Sequence, residues 1–131
     1  MIRNAENTSK LMTEVSTLLF KDTMDHFSKE EGKKHKKWAP LSRRTIAGRR
    51  KGRTGKKSSA KILQDTGLLR ASIAPKVTKY SAKVFTRVRY AAQHQKGDKR
   101  RGLPKRQFMW LSKEMNTEIK KKIGVFYIGG R

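Results

Sequence analysis

The chain has 131 residues, with 34 Lys+Arg against 10 Asp+Glu, a formal net charge of +24 and no cysteine. Leu, Ile, Val and Phe supply 26 residues, about a fifth, a share at which high net charge opposes an extensive core. Disulfides, thiolate zinc sites and cysteine nucleophiles are excluded, and no apolar run of about 18 residues is present to span a bilayer.

Residues 5–28 predict an amphipathic helix, because Leu11, Met12, Val15, Leu18 and Leu19 fall at helical spacing and Met24 and Phe27 extend the stripe. Asn4 or Asn7 is placed to cap its start, and Gly32 lies just past its end. Trp38-Ala-Pro-Leu-Ser predicts an ordered turn, with Ser42 capping a short helix over Arg43–Gly48. A basic loop follows, Arg49 to Lys61, whose interspersed glycines and serines predict mobility. Asp65 to Ile73 predicts one or two helical turns capped by Asp65.

From Ile73 to Ala92 the period changes to two. Val77 sits in a short strand after Pro75, expected weak or at an edge. Val84, Thr86, Val88 and Tyr90 alternate with Phe85, Arg87 and Arg89, which predicts a half-buried strand with one basic face, turned at Tyr80-Ser81. A glycine-bearing loop, Gly97 to Gly102, leads to Leu103–Trp110. A last helix is expected from about Ser112, with Met115, Ile119, Ile123 and Phe126 or Tyr127 on its apolar face. The order predicts a single α+β domain over 1–131: a long N-terminal helix, short helices, a small antiparallel sheet, a C-terminal helix and a mobile basic loop.

The charge is concentrated. Residues 1–31 carry net −2, residues 32–106 net +23, and residues 107–131 net +3. Three runs dominate the middle: Lys33–Lys37, Arg49–Lys61 and Lys96–Arg106. Self-repulsion of that size calls for a polyanion or a second subunit nearby.

Catalysis is not supported. His26, His35 and His94 are far apart in sequence, and Asp22 and Asp25 share a helix face where solvated carboxylates are the commoner outcome. Gly52-Arg-Thr-Gly-Lys-Lys-Ser has the wrong spacing for a phosphate-cradling loop. No metal, cofactor or small-molecule substrate is expected, and no membrane. A polyanionic surface is the favoured partner, met by Arg49, Arg50, Lys51, Arg53, Lys56, Lys57, Lys99, Arg100 and Arg101. About six phosphate contacts would give a log–log salt slope near −5. Charge alone leaves DNA and an acidic protein face both open. No groove-reading helix or aromatic RNA platform is visible, so sequence-specific readout is not supported. Trp38, Phe108 and Trp110 lie outside the strongly periodic segments. They either plug a small core or anchor a subunit interface.

Four blocks occur in a characteristic order: Trp38–Ile46, Ile62–Ile73, Tyr90–Gly97 and Leu103–Ser112. Together they resemble the phage virion morphogenesis, or tail-completion, family carried by Mu-like phages and prophages. The resemblance implies a non-enzymatic structural protein acting where head meets tail, built as a ring subunit in contact with other neck and tail proteins, its basic loop facing either packaged DNA or an acidic neighbouring ring. It implies assembly in the host cytoplasm and residence in the virion. It also implies that Asp65, Thr66 and Gly67 start a helix, that Tyr90, His94 and Gly97 mark a strand and its exit, and that Pro104, Arg106 and Phe108 precede the last helix. A ring tolerates a thin monomer core, because apolar surface is buried between subunits. A non-specific nucleic-acid-binding protein is the competing class, with the basic centre as its whole function.

Overall fold

The computed structural model describes residues 5–51, 61–63 and 67–128. Helix α1 (Ala5–Lys29) carries the expected stripe. It terminates at Glu30, whose φ of 54° is left-handed, so a glutamate takes the place expected for glycine. The Glu30 carbonyl then accepts the Trp38 N–H at 2.8 Å. Strands β1 (Glu31–Gly32) and β2 (Lys36–Lys37) pair antiparallel around a tight turn at Lys33–His35. Lys34 and His35 have φ of 61° and 58°, a conformation costing roughly 1–2 kcal/mol for a residue with a Cβ. The lysine run therefore forms a hairpin that no hydrophobic alternation announces.

Helix α2 (Arg43–Lys51) begins where Ser42 predicts, with the Thr45 N–H donating to the Ser42 hydroxyl at 3.1 Å. It continues past Gly48, so Arg49, Arg50 and Lys51 are helical rather than part of a loop. Arg and Lys are good helix formers, and one glycine costs only about 1 kcal/mol. Helix α3 (Leu68–Ala71) makes one turn, within the one or two expected, with left-handed Gly67 (φ 76°) at its N-terminal boundary. Asp65 and Thr66 lie outside the described residues.

Strands β3 (Ala74–Val77) and β4 (Ala82–Phe85) pair Ala74 with Phe85, Pro75 with Val84, Lys76 with Lys83 and Val77 with Ala82. The turn falls at Tyr80-Ser81 as predicted, closed by the Thr78 N–H on the Ser81 carbonyl at 2.8 Å. The strand stops at Phe85, short of the predicted Tyr90. Thr86 is the cause: its hydroxyl accepts the Val88 N–H at 3.2 Å and is hydrogen-bonded to the Ser72 hydroxyl at 2.6 Å, a local bond that competes with the ladder. The chain turns into helix α4 (Ala91–Lys96), in place of the strand exit expected there. After a tight turn closed by Asp98 and Leu103, residues 104–112 run without regular structure to helix α5 (Lys113–Ile128). Ser112 caps α5, its hydroxyl accepting the Met115 N–H at 3.2 Å.

The fold is α+β, with two separate two-stranded antiparallel sheets among the described residues. Two clusters share α1. Its C-terminal half supplies Phe27 to a cluster with Trp38, Ile62, Leu63, Leu69, Ile73, Ala91 and Phe108. Its N-terminal half supplies Leu11 and Val15, which meet Met115 and Ile119 of α5.

Candidate functional site

The four sequence blocks converge on Phe27, which is 0% exposed. Trp38 meets its ring edge-on with centroids 5.8 Å apart, and Phe108 lies tilted against it at 5.4 Å. Phe108 retains 1% exposure. Trp38 and Phe108 therefore spend their apolar surface inside the chain, and the structure gives them the core position of the two that the sequence allowed. An interface anchor at either residue is corrected on that ground: no apolar area is left to offer a neighbour. Trp110 is half-buried, stacked on His26 at 4.0 Å, with its indole N–H donating to the Glu31 carbonyl at 3.1 Å.

Residues 104–112 have no strand partner, so side chains satisfy their backbone. The Gln95 carboxamide oxygen accepts the N–H groups of Phe108 and Met109 at 3.1 and 2.9 Å, and its NH₂ donates to the Met109 carbonyl at 2.7 Å. The Trp38 indole donates to the Gln107 carbonyl at 2.9 Å. The Arg106 guanidinium, 6% exposed, donates to the carbonyls of Ala39 and Pro40 at 2.9 and 3.0 Å. It thereby ties the fourth block to the first. Burial, with the charge of Arg49, lowers its pKa from the usual value, while Glu30 opposes the shift.

Asp22 is not the solvated carboxylate that its helix position predicts. It is 5% exposed, and it accepts the Ser112 N–H at 3.0 Å and the Ser112 hydroxyl at 2.7 Å. The His26 Nε2 lies 3.4 Å from the same carboxylate, and its Nδ1 is bonded to the Phe108 carbonyl at 3.0 Å. A nucleophilic triad needs the imidazole between serine and carboxylate. Here the carboxylate is in the middle and the serine caps a helix, so the trio clamps α1 to α5. Among the described residues no group of His, Asp or Glu is placed to hold a metal ion, and no helix is long and apolar enough to cross a membrane.

The predicted basic site is only partly brought together. Arg49 is half-buried and donates to the Lys61 carbonyl at 2.7 Å. It shares a cleft of about 430 Å³ with Leu63, Leu68, Tyr90, His94 and Arg106. Burial first, then the charges of Arg106 and Arg49, push the His94 pKa below its ordinary value. Arg50 and Lys51 follow in the last turn of α2, whereas Arg53, Lys56 and Lys57 lie outside the described residues. Lys99, Arg100 and Arg101 are exposed in the turn after α4, where Arg101 is 3.7 Å from the Asp98 carboxylate. Asp98 also accepts the Arg100 N–H at 3.0 Å. One of the three cations is thus partnered locally.

The described residues thus form a buried aromatic junction held by backbone-directed side chains, with exposed basic residues around it. The chain belongs to the phage virion morphogenesis family, whose model matches residues 1–125. Comparison with curated proteins and with solved structures returned no match. The family gives the chain a role in phage virion assembly.

Proposed function

We propose that this chain is a non-enzymatic structural subunit of the head–tail junction of a tailed phage, where it completes the neck or tail as part of a ring and resides in the virion. The observation that carries the proposal is the family match over residues 1–125. Three features support it. At +24 the chain needs an anionic neighbour. Among the described residues no third strand extends either two-stranded sheet, so a neighbouring copy could add one. Leu68, Leu111, Val125 and Tyr127 remain exposed on different parts of the molecule, as expected where apolar surface is completed by other subunits. The chain's basic residues then meet packaged DNA or an acidic neighbouring protein. A strongly basic surface would hold a duplex rather than let it slide, so retention of DNA after packaging fits better than a conduit.

The test is a phage in which the gene is interrupted. Filled heads and separate tails, rejoined when the protein is supplied from a plasmid, are expected. Infectious particles of normal morphology without the protein would overturn the proposal.

A further inference from the structure

Between Gly67 and Gly97 the chain has seven basic residues and no acidic one. The β3–β4 pairing sorts part of this charge onto one face. Ala82 and Val84 point toward α1 and pack against the two core clusters. By the two-residue period, Lys76, Lys83 and Phe85 point the other way. Lys76 and Lys83 stand directly opposite each other, a like-charge pair that destabilises the free hairpin. Both are exposed. Phe85 lies between cations, with Lys83 Nζ 5.9 Å and Arg87 Cζ 5.8 Å from its ring centre. At the tip, Tyr80 is 73% exposed under Lys79, 5.3 Å away. Among the described residues, no carboxylate lies within ion-pair distance of Lys76, Lys79, Lys83 or Arg87.

We infer that this outward face of the β3–β4 hairpin binds the phosphate backbone of duplex DNA, without sequence preference. A repulsive lysine pair kept free of carboxylates is relieved when a polyanion neutralises it. Protein interfaces deplete lysine at their centres, whereas Lys and Arg are the principal side chains that contact phosphates. Residues two apart on a strand are about 6.8 Å apart and cross-strand neighbours about 5 Å, a spacing that lets several cations reach phosphates of one backbone. This surface differs from the α2 and Lys99–Arg101 cations favoured by sequence. The inference deepens the proposed role by supplying a DNA contact, but it stands on the hairpin's charge and is tested apart from that role.

The experiment uses the purified full chain and a fluorescent duplex of about 25 base pairs of arbitrary sequence, titrated across a salt series. K76A/K83A/R87A is expected to weaken binding roughly tenfold or more at about 50 mM salt and to flatten the log–log slope by about 2.7, or 0.9 per lost phosphate contact. The charge-keeping K76R/K83R should retain the slope, and R43A/R44A should alter it less. Circular dichroism of each variant confirms folding, which substitution of exposed side chains leaves intact. Absence of DNA binding by the wild type, or an unchanged slope in the triple variant, overturns the inference. So does a triple variant that loses binding to polyglutamate but keeps binding to DNA, because the partner is then an acidic protein. Failure here leaves the neck role standing, since that role is read from particle morphology.

Discussion

Replacing Asp22 tests the clamp between α1 and α5. The carboxylate accepts two hydrogen bonds from Ser112, at 3.0 and 2.7 Å, and both residues are 5% exposed. A hydrogen bond to a charged group contributes about 1.5–3 kcal/mol. Loss of the negative charge beside the α5 N-terminus costs about 0.3–1 kcal/mol more. Relief of the carboxylate's own desolvation offsets part of this, leaving a net loss of about 3 kcal/mol for Asp22→Ala. For a chain of this length that corresponds to a fall in Tm of roughly 10–15 °C. Asp22→Asn keeps the volume but turns an NH₂ toward one Ser112 donor, so most of the loss should remain. Ser112→Ala keeps the backbone donor and should cost about 1–2 kcal/mol, chiefly the α5 cap. Urea unfolding of both single variants and the double should give a coupling energy of about 1 kcal/mol or more. Additive single effects, or an Asp22→Asn variant within about 0.5 kcal/mol of wild type, would refute the clamp.

Gly97→Ala is expected to destabilise by about 2–4 kcal/mol in chemical unfolding, because φ is 76° and the added Cβ would lie 2.9 Å from the Lys105 backbone nitrogen. Phe108→Ala should cost about 3–5 kcal/mol by the same assay, since it empties the centre of the larger cluster; a loss under about 1 kcal/mol would contradict its core position. Histidine NMR titration should separate His35 from His94. His35 bridges Glu31 and Glu114 at 3.0 and 3.2 Å, and those hydrogen bonds raise its pKa, whereas burial lowers that of His94. The sign for His35 follows: its clasp is fully present below the ordinary histidine pKa and is lost as pH rises through the raised, folded value. His35→Gln should therefore remove a rise in stability toward acid pH, and identical titration of His35 and His94 would contradict both environments.

The elements legible in the sequence are those whose periodicity and caps agree. The α1 stripe at Leu11, Val15 and Phe27, the Ser42 cap and the start of α5 just after Ser112 all reappear as predicted. The β1–β2 hairpin was hidden because its five lysine-rich residues have no apolar alternation, and its strained turn is stabilised by Glu114, far away in the chain. Helix α4 was hidden because only Ala91 of its residues is buried, so no helical stripe is written there. Asp22 could not be distinguished from a solvated carboxylate, because its partner Ser112 lies 90 positions away. Arg106 reads as one more cation in a basic run, yet its partners are backbone carbonyls that leave no mark on side-chain sequence. The basic surface was legible as a total and misplaced in part. Period two put Phe85 and Arg87 on one strand face, but only pairing placed Lys76 opposite Lys83.

The proposed place of this protein in the virion is tested most directly by electron cryomicroscopy of intact particles carrying it. A closed ring of copies at the head–tail junction, with α1 and the Phe27 junction recognisable in each subunit and the β3–β4 hairpins turned toward DNA density, is the expected result. Particles whose neck density contains no copy of this chain would contradict it.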